Sequence, residues 1–261
     1  QDEHEMDIVL HSRAGAVRVH PTRETVLDAG DTIVLFAQHS KITNVVARNT
    51  VADAYADPRV YDALHTPGTA DELNALERIA RRFVLAGRGD PRSLRWLEPC
   101  CGTGRFLRLL ARRGARAAGV ELDAGVAAFA NERLASRGRA RARAVVGDMC
   151  RLDALTSPRG RGPPFNTAFT PQTATRIVAP PADLRRHLSA MAAVLRPRGV
   201  YAVGVGLQRP GEPIVGEDVH KARRGGLVVH NVCQYFEAPA SGRVHTRRER
   251  IVSFTTVTTG R

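Results

Sequence analysis

Along the middle of the chain, short apolar runs alternate with segments whose apolar residues recur every three to four positions. SLRWLEP reads as a strand, and RFLRLLARRG as a helix with Phe106, Leu109 and Leu110 on one side. RAAGVELD is a strand, AGVAAFANERLASRG a helix opened by Asp123 as N-cap, and RARAVVGDM a strand again. After the loop SPRGRGPP come the strand FNTAFT and the helix PADLRRHLSAMAAVL, with Pro181 in its first turn and Leu184, Leu188, Met191 and Leu195 along one face. VYAVGVG closes the series as a strand. Strands and helices alternating at these lengths predict an α/β fold: a doubly wound, mostly parallel sheet with right-handed crossovers and helices on both faces.

The flanks depart from this rhythm. LVVHNVCQYF and RERIVSFTTVTT read as an antiparallel C-terminal hairpin, expected at one edge of the sheet. Upstream, ADAYADPRVYDALHTPGTADELNALERIARRF begins irregularly and continues as an amphipathic helix carrying Leu73, Leu76, Ile79, Ala80 and Phe83. In the first fifty residues, MDIVLHSR and AVRVHP read as short strands and DAGDTIVLFAQ as a turn and a buried strand. SKITNVVARN reads as a short helix capped by Ser40. Two units are therefore expected: a small β-rich N-terminal segment over 1–50 and one α/β domain over 51–261.

Charge complicates the picture. The 261 residues carry a net charge of +13, which invites a nucleic-acid partner. Yet only two of the 39 basic residues, Lys41 and Lys221, are lysines, and the arginines are spread over many segments. Such arginine and alanine enrichment more often reports codon bias than a phosphate-binding surface. Arg137, Arg139, Arg141 and Arg143 alternate into the third strand, where charge would guard a sheet edge. The four cysteines, Cys100, Cys101, Cys150 and Cys233, show neither a CxxC pair nor a disulfide-framework spacing, so buried thiols in a reducing cytoplasm are expected and no metal site. No apolar run has the length of a membrane span, and the start QDEHEMD is no secretory signal. The first residue, Gln1, leaves open a trimmed or more distant N-terminus.

The chemistry concentrates in LEPCCGTGR, a glycine turn between the first strand and first helix of the α/β series. Such a turn lets the backbone approach a ligand and aims a helix N-terminus at it. A triphosphate loop would need GxxxxGK[ST], and no lysine stands here. A dinucleotide loop would need a third glycine where Leu107 stands.

The run Glu98-Pro-Cys-Cys-Gly-Thr-Gly104 resembles motif I, (D/E)xGxGxG, of class I S-adenosylmethionine-dependent methyltransferases, with Cys100 in the place of the first glycine. GVELD, VVGDM and LRPRGVYAVG follow in the order of that family's later landmarks, and the resemblance spans about residues 53–261. It implies a Rossmann-like fold and S-adenosylmethionine as cofactor. It places Glu98 near the methionine amino group and Gly102 and Gly104 beneath the cofactor. Glu121 falls on the ribose hydroxyls, and Asp148 and Met149 on the adenine. A second, looser resemblance lies in AVRVHPTRETVLDAGDTIVLFAQHSKITNVV, which is similar to the C-terminal lobe of RCK/TrkA-type regulatory domains of potassium transport proteins.

The acceptor is less legible. FNTAFTPQTATR occupies the place of motif IV but lacks (D/N)PP(Y/F), and Asn166 replaces the common aspartate, which argues against adenine or glutamine amino-group methylation. No Pro-Cys nucleophile stands there either, which argues against cytosine C5 methylation. Candidate substrate contacts are Tyr55, Tyr61, Thr170, Gln172, His220, Arg223 and Arg224; His220 and Tyr61 are the weak catalytic candidates, His220 because a neutral imidazole can take a proton. The expected function is methyl transfer to a small-molecule acceptor. An RNA or other nucleic-acid methyltransferase, and a non-catalytic module sensing an adenosine ligand, stay open.

Overall fold

The computed structural model describes residues 6–22, 24–28, 31–37, 57–135, 141–152, 155, 164–171, 181–205, 216–237 and 249–259. Five parallel strands make the central sheet: β4 (Arg95–Glu98), β5 (Arg116–Glu121), β6 (Ala142–Val146), β7 (Phe165–Thr170) and β8 (Leu195–Val203). Their order is β6-β5-β4-β7-β8. The chain winds outward from β4 in one direction and then, from β7, in the other, so a topological switch point opens at the carboxyl ends of β4 and β7. That is where the glycine turn lies. β6 is an edge strand, as its arginine alternation anticipates.

Strand periodicity sorts the core into two layers. Trp96 and Leu97, adjacent on β4, point to opposite faces. Trp96 joins Leu73, Leu76, Phe106, Leu110 and Phe169 on one side. Leu97 joins Ala118, Val120, Phe165, Met191 and Val194 on the other. Phe169 meets Trp96 and Phe106 edge-on, with ring centroids 5.9 and 5.2 Å away. The first layer is covered by α2 (Thr69–Phe83), α3 (Arg105–Arg112) and α4 (Ala124–Ala135), the second by α5 (Pro181–Val194).

Two helix faces differ from the expected stripes. On α2, Leu73, Leu76 and Ala80 are buried, but Phe83 is 60 % exposed. On α5 the buried positions are His187, Met191 and Val194, while Leu184 and Leu188 remain largely exposed. The stripe turns by about one position because His187 is held inside by two hydrogen bonds, described below.

The segment taken as irregular before α2 contains a helix, α1 (Pro58–His65). Asp57 caps it by accepting the Arg59 N–H at 2.8 Å, and Pro58 occupies its first turn. The C-terminal strands β10 (Leu227–Glu237) and β11 (Glu249–Thr259) pair antiparallel as expected, but not at the edge of the parallel sheet. β9 (Gly216–Arg224) takes the other edge of β10, giving a separate sheet of order β11-β10-β9. Arg224 and Leu227 pair across a two-residue Gly-Gly turn in which Gly225 has φ +59°, a conformation open to glycine. This sheet rests on α1: Val60 and Ala63 pack against Val229, flanked by Leu64, Ala222 and Leu227.

The N-terminal strands β1 (Met6–Arg13), β2 (Ala16–Val19) and β3 (Thr32–Ala37) form their own antiparallel sheet, β2-β1-β3. Asp31 ties it together, accepting from Arg13 and bonding to His11 at 2.8 Å; these bonds hold its carboxyl well below the usual range. The Ser40 helix falls outside the described residues.

Candidate functional site

Three strand tips meet around the turn that follows β4. The Cys101 N–H bonds the Val120 carbonyl at 2.8 Å, and the Gly104 N–H bonds the Cys101 carbonyl at 2.9 Å, folding the turn back over β5. Gly102 and Gly104 take φ values of +50° and +71°, where a side chain is strained. Cys100 does not take a left-handed conformation, which explains how a cysteine stands in the place of the first glycine. The close helix–strand contact expected of a third glycine is made from the strand instead. A Cβ on Gly119 would lie 2.5 Å from the Cys101 Sγ and 2.8 Å from a Leu107 methyl. Gly119→Ala is therefore expected to destabilise the fold by about 1–3 kcal/mol through overpacking. Denaturant melts would measure this, and unchanged stability would mean the turn does not rest on β5 as described.

Glu98, at the tip of β4, is 4 % exposed, and its Oε2 is buried without a hydrogen-bond partner among the described residues. Burial pushes its carboxyl well above the ordinary carboxylate value; Arg105 opposes this, while Glu121 and Glu72 add to it. An orphaned carboxylate oxygen inside a protein is costly, so the arrangement fits a cationic group that would complete it. Burial, followed by Glu98 and Glu121, raises the Cys100 thiol to about 12, so this cysteine is protonated and no nucleophile.

Glu121, at the tip of β5, accepts the Gly102 N–H at 2.9 Å and the Asp123 N–H at 3.0 Å. Each oxygen retains a second lone pair for a hydroxyl donor. Asp148, past β6, is exposed and accepts the Cys150 N–H at 2.8 Å, while Met149 beside it is buried. The Met149 carbonyl is 2.9 Å from His187 Nδ1. A carbonyl only accepts, so Nδ1 carries the proton and Nε2 accepts from the Tyr201 hydroxyl at 2.8 Å. Tyr201 in turn accepts from Thr170 at 2.6 Å. This chain locks the β6, β7 and β8 tips to α5. Thr170, a candidate substrate contact, is 1 % exposed and spends its hydroxyl here. Tyr55 and Gln172 lie outside the described residues.

The opposite wall comes from α1. A Cβ on Gly102 would meet the Tyr61 ring at 3.2 Å, so Tyr61 stands directly over the turn. His65, one helical turn on, lies against Tyr61 with its ring tilted by 39° and the centroids 4.2 Å apart. Burial, then Arg105 and His220, pulls the His65 imidazole down to about 4, so it is neutral near pH 7. His220 lies on β9, exposed but close enough to His65 for its charge to be felt. Arg223 is exposed on the same strand. Between α1 and the turn, Asp62 is completely buried and accepts from Thr103 Oγ1 at 3.0 Å, from Arg108 at 2.8 Å, and from Arg133 and Arg224. His65, Asp62 and His187 belong to no motif of the sequence. The Asp57-Pro58 start of α1 was the one local signal available for the first two.

Residues 97–199 match the family model described as a methyltransferase domain. A search of curated proteins returns no match. Among solved structures, the chain is similar to Streptomyces venezuelae DesVI, with 18 % identity over 80 % of this chain and 84 % of that one and a TM-score of 0.56. It is also similar to CalS10 with SAM bound, an amino pentose methyltransferase from Micromonospora echinaspora involved in calicheamicin biosynthesis. That match has 23 % identity over 81 % and 84 % of the two chains and a TM-score of 0.52. The residues that match the methyltransferase-domain model, 97–199, run from β4 into β8, so the match falls on the five-stranded parallel sheet that carries the glycine turn.

Proposed function

We propose that the chain transfers the methyl group of S-adenosylmethionine to a small-molecule acceptor held between the glycine turn and the wall made by α1 and β9. The observation that carries this reading is the buried Oε2 of Glu98, which has no hydrogen-bond partner among the described residues. The residues present fit the cofactor: Glu98 would hold its cationic amino-acid end, Gly102 and Gly104 would pass beneath it, Glu121 would accept from the ribose, and Asp148 and Met149 would flank the adenine. The cofactor supplies an activated methyl carbon, so the protein's task is positioning and exclusion of water. Tyr61 and His65 serve that task, and the neutral His65 adds no positive charge against the sulfonium. His220 and Tyr61 would touch the acceptor in this reading. The small-molecule activity of the amino pentose methyltransferase among the similar structures agrees with this acceptor class.

Calorimetric titration tests the reading. S-adenosylmethionine is expected to bind in the micromolar range and NADH not at all. Glu121→Ala should weaken the first by about 1–3 kcal/mol, because the ribose hydroxyls and the Gly102 N–H lose their acceptor. Equal binding of NADH would overturn the assignment.

A further inference from the structure

The N-terminal edge of the parallel sheet, opposite the glycine turn, carries a second concave site. Arg95 opens β4, Arg116 opens β5, and Arg141 and Arg143 stand at and within the start of β6. Together with Ala117, Ala118, Leu155 and Phe165 they line a cleft of about 480 Å³. Arg95 and Arg116 are partners in register, and Arg143 pairs in register with Ala118 two residues beyond Arg116. Like charges directly opposite on neighbouring strands are destabilising. Among the described residues no carboxylate pairs with any of the four guanidiniums, and no acidic side chain lines the cleft. Elsewhere, arginines of this chain find acidic partners: Arg105 with Glu72, Arg113 with Glu77, Arg108 with Asp62. Here Arg141 donates to the Gly114 carbonyl at 3.1 Å, and Arg95 lies 6.0 Å from the centroid of the Phe165 ring.

We infer that this cleft binds the phosphate groups of a phosphorylated small molecule, at a site separate from the methyl-transfer centre. Guanidinium groups bind phosphate oxygens in pairs, and several of them converge here on one concavity. The volume is that of a small-molecule site. An extended nucleic-acid track would call for exposed aromatic platforms, whereas the one aromatic ring here, Phe165, is buried in the floor at 4 % exposure. The site stands at the strand ends remote from Glu98 and Glu121, so its ligand binds alongside S-adenosylmethionine rather than in its place.

The test is calorimetric titration of the full chain with tripolyphosphate, with adenosine triphosphate and with a 12-nucleotide RNA, near physiological ionic strength and with saturating S-adenosylmethionine present. Saturable binding of tripolyphosphate or the nucleotide is expected, weakened at least tenfold in Arg116→Ala/Arg143→Ala. Tighter binding of the nucleotide would mark an organic phosphate as the ligand, and equal binding a free one. The double variant should melt no lower than the parent, since it relieves like-charge repulsion, and should bind S-adenosylmethionine unchanged. Absence of phosphate binding, equal binding by the variant, or arginine-dependent binding of the RNA alone would each overturn the inference. None of these results depends on whether the protein methylates anything.

Discussion

Asp62→Ala is expected to lower the stability of the chain by about 3–5 kcal/mol, the cost typical of removing one partner from a buried ionic cluster. Asp62 is completely buried and is the shared acceptor for Arg108, Arg133 and Arg224, with Thr103 as a fourth donor. Without it, three guanidiniums face one another across a partly dry space, and Arg108, only 11 % exposed, cannot turn readily to water. At a few degrees per kcal/mol the melting temperature should fall by on the order of 10 °C. The pH dependence identifies the cause. Burial alone would raise the Asp62 carboxyl, but the three arginines outweigh it and hold it below its ordinary value of 3.8. A depressed folded-state value means the stabilisation is present above the unfolded value and lost as pH falls through the folded one. The gap between parent and Asp62→Asn should therefore hold from neutral pH down to about 5 and narrow below about 4. Denaturant titrations at several pH values would measure it. A gap that ignores pH would mean the cluster contributes packing and not charge.

Glu98→Gln is expected to act in two opposite directions. In the free protein it should be stabilising, because a carboxyl with an orphaned buried oxygen is replaced by a neutral group of similar shape. The sign follows from linkage. The folded-state value of Glu98 is raised above 4.5, so its contribution to stability is fully present below that value and is lost as pH rises through the raised one. The variant should thus match the parent near pH 4 and exceed its stability at pH 8. Toward S-adenosylmethionine the effect reverses: losing a charge-assisted contact should weaken binding by about 1.5–3 kcal/mol, roughly ten- to a hundredfold. In the parent, a bound cation favours the ionised carboxylate, so binding should release protons as pH falls into the titration range of Glu98. Calorimetry in buffers of different ionisation enthalpy would detect them. If Glu98→Gln binds the cofactor as tightly as the parent, Glu98 does not hold its cationic end.

These expectations separate what can be read locally from what cannot. Glu98, Glu121, Asp148 and Met149 lie at or just past the ends of strands whose periodicity is plain, and Gly102 and Gly104 lie in the turn between β4 and α3. Their places at the carboxyl edge of one parallel sheet are thus legible before any coordinate is known. Asp62 and His65 were not legible. They sit on a helix of eight residues, too short for a periodic signal, and the partners of Asp62 lie from 41 to 162 positions away. The leucine stripe of α5 pointed to one face, yet His187 turned it, because its bonds to Met149 and Tyr201 exist only once β6 and β8 are in place.

By itself, then, the amino-acid order determined the alternation of strands and helices, the two left-handed glycines of the turn and the acidic strand tips, because these follow from local sterics and from side-chain periods of two and 3.6. The tertiary structure alone decided that β9 pairs with β10 in a sheet of its own and that α1 lays Tyr61 over Gly102. It also decided that one carboxylate gathers three arginines and that four others meet in a cleft with no carboxylate among the described residues. The reason is physical: ion pairs and cross-strand contacts depend on distance in space, and loop closure brings any two exposed segments together at a cost that rises only slowly with their separation along the chain.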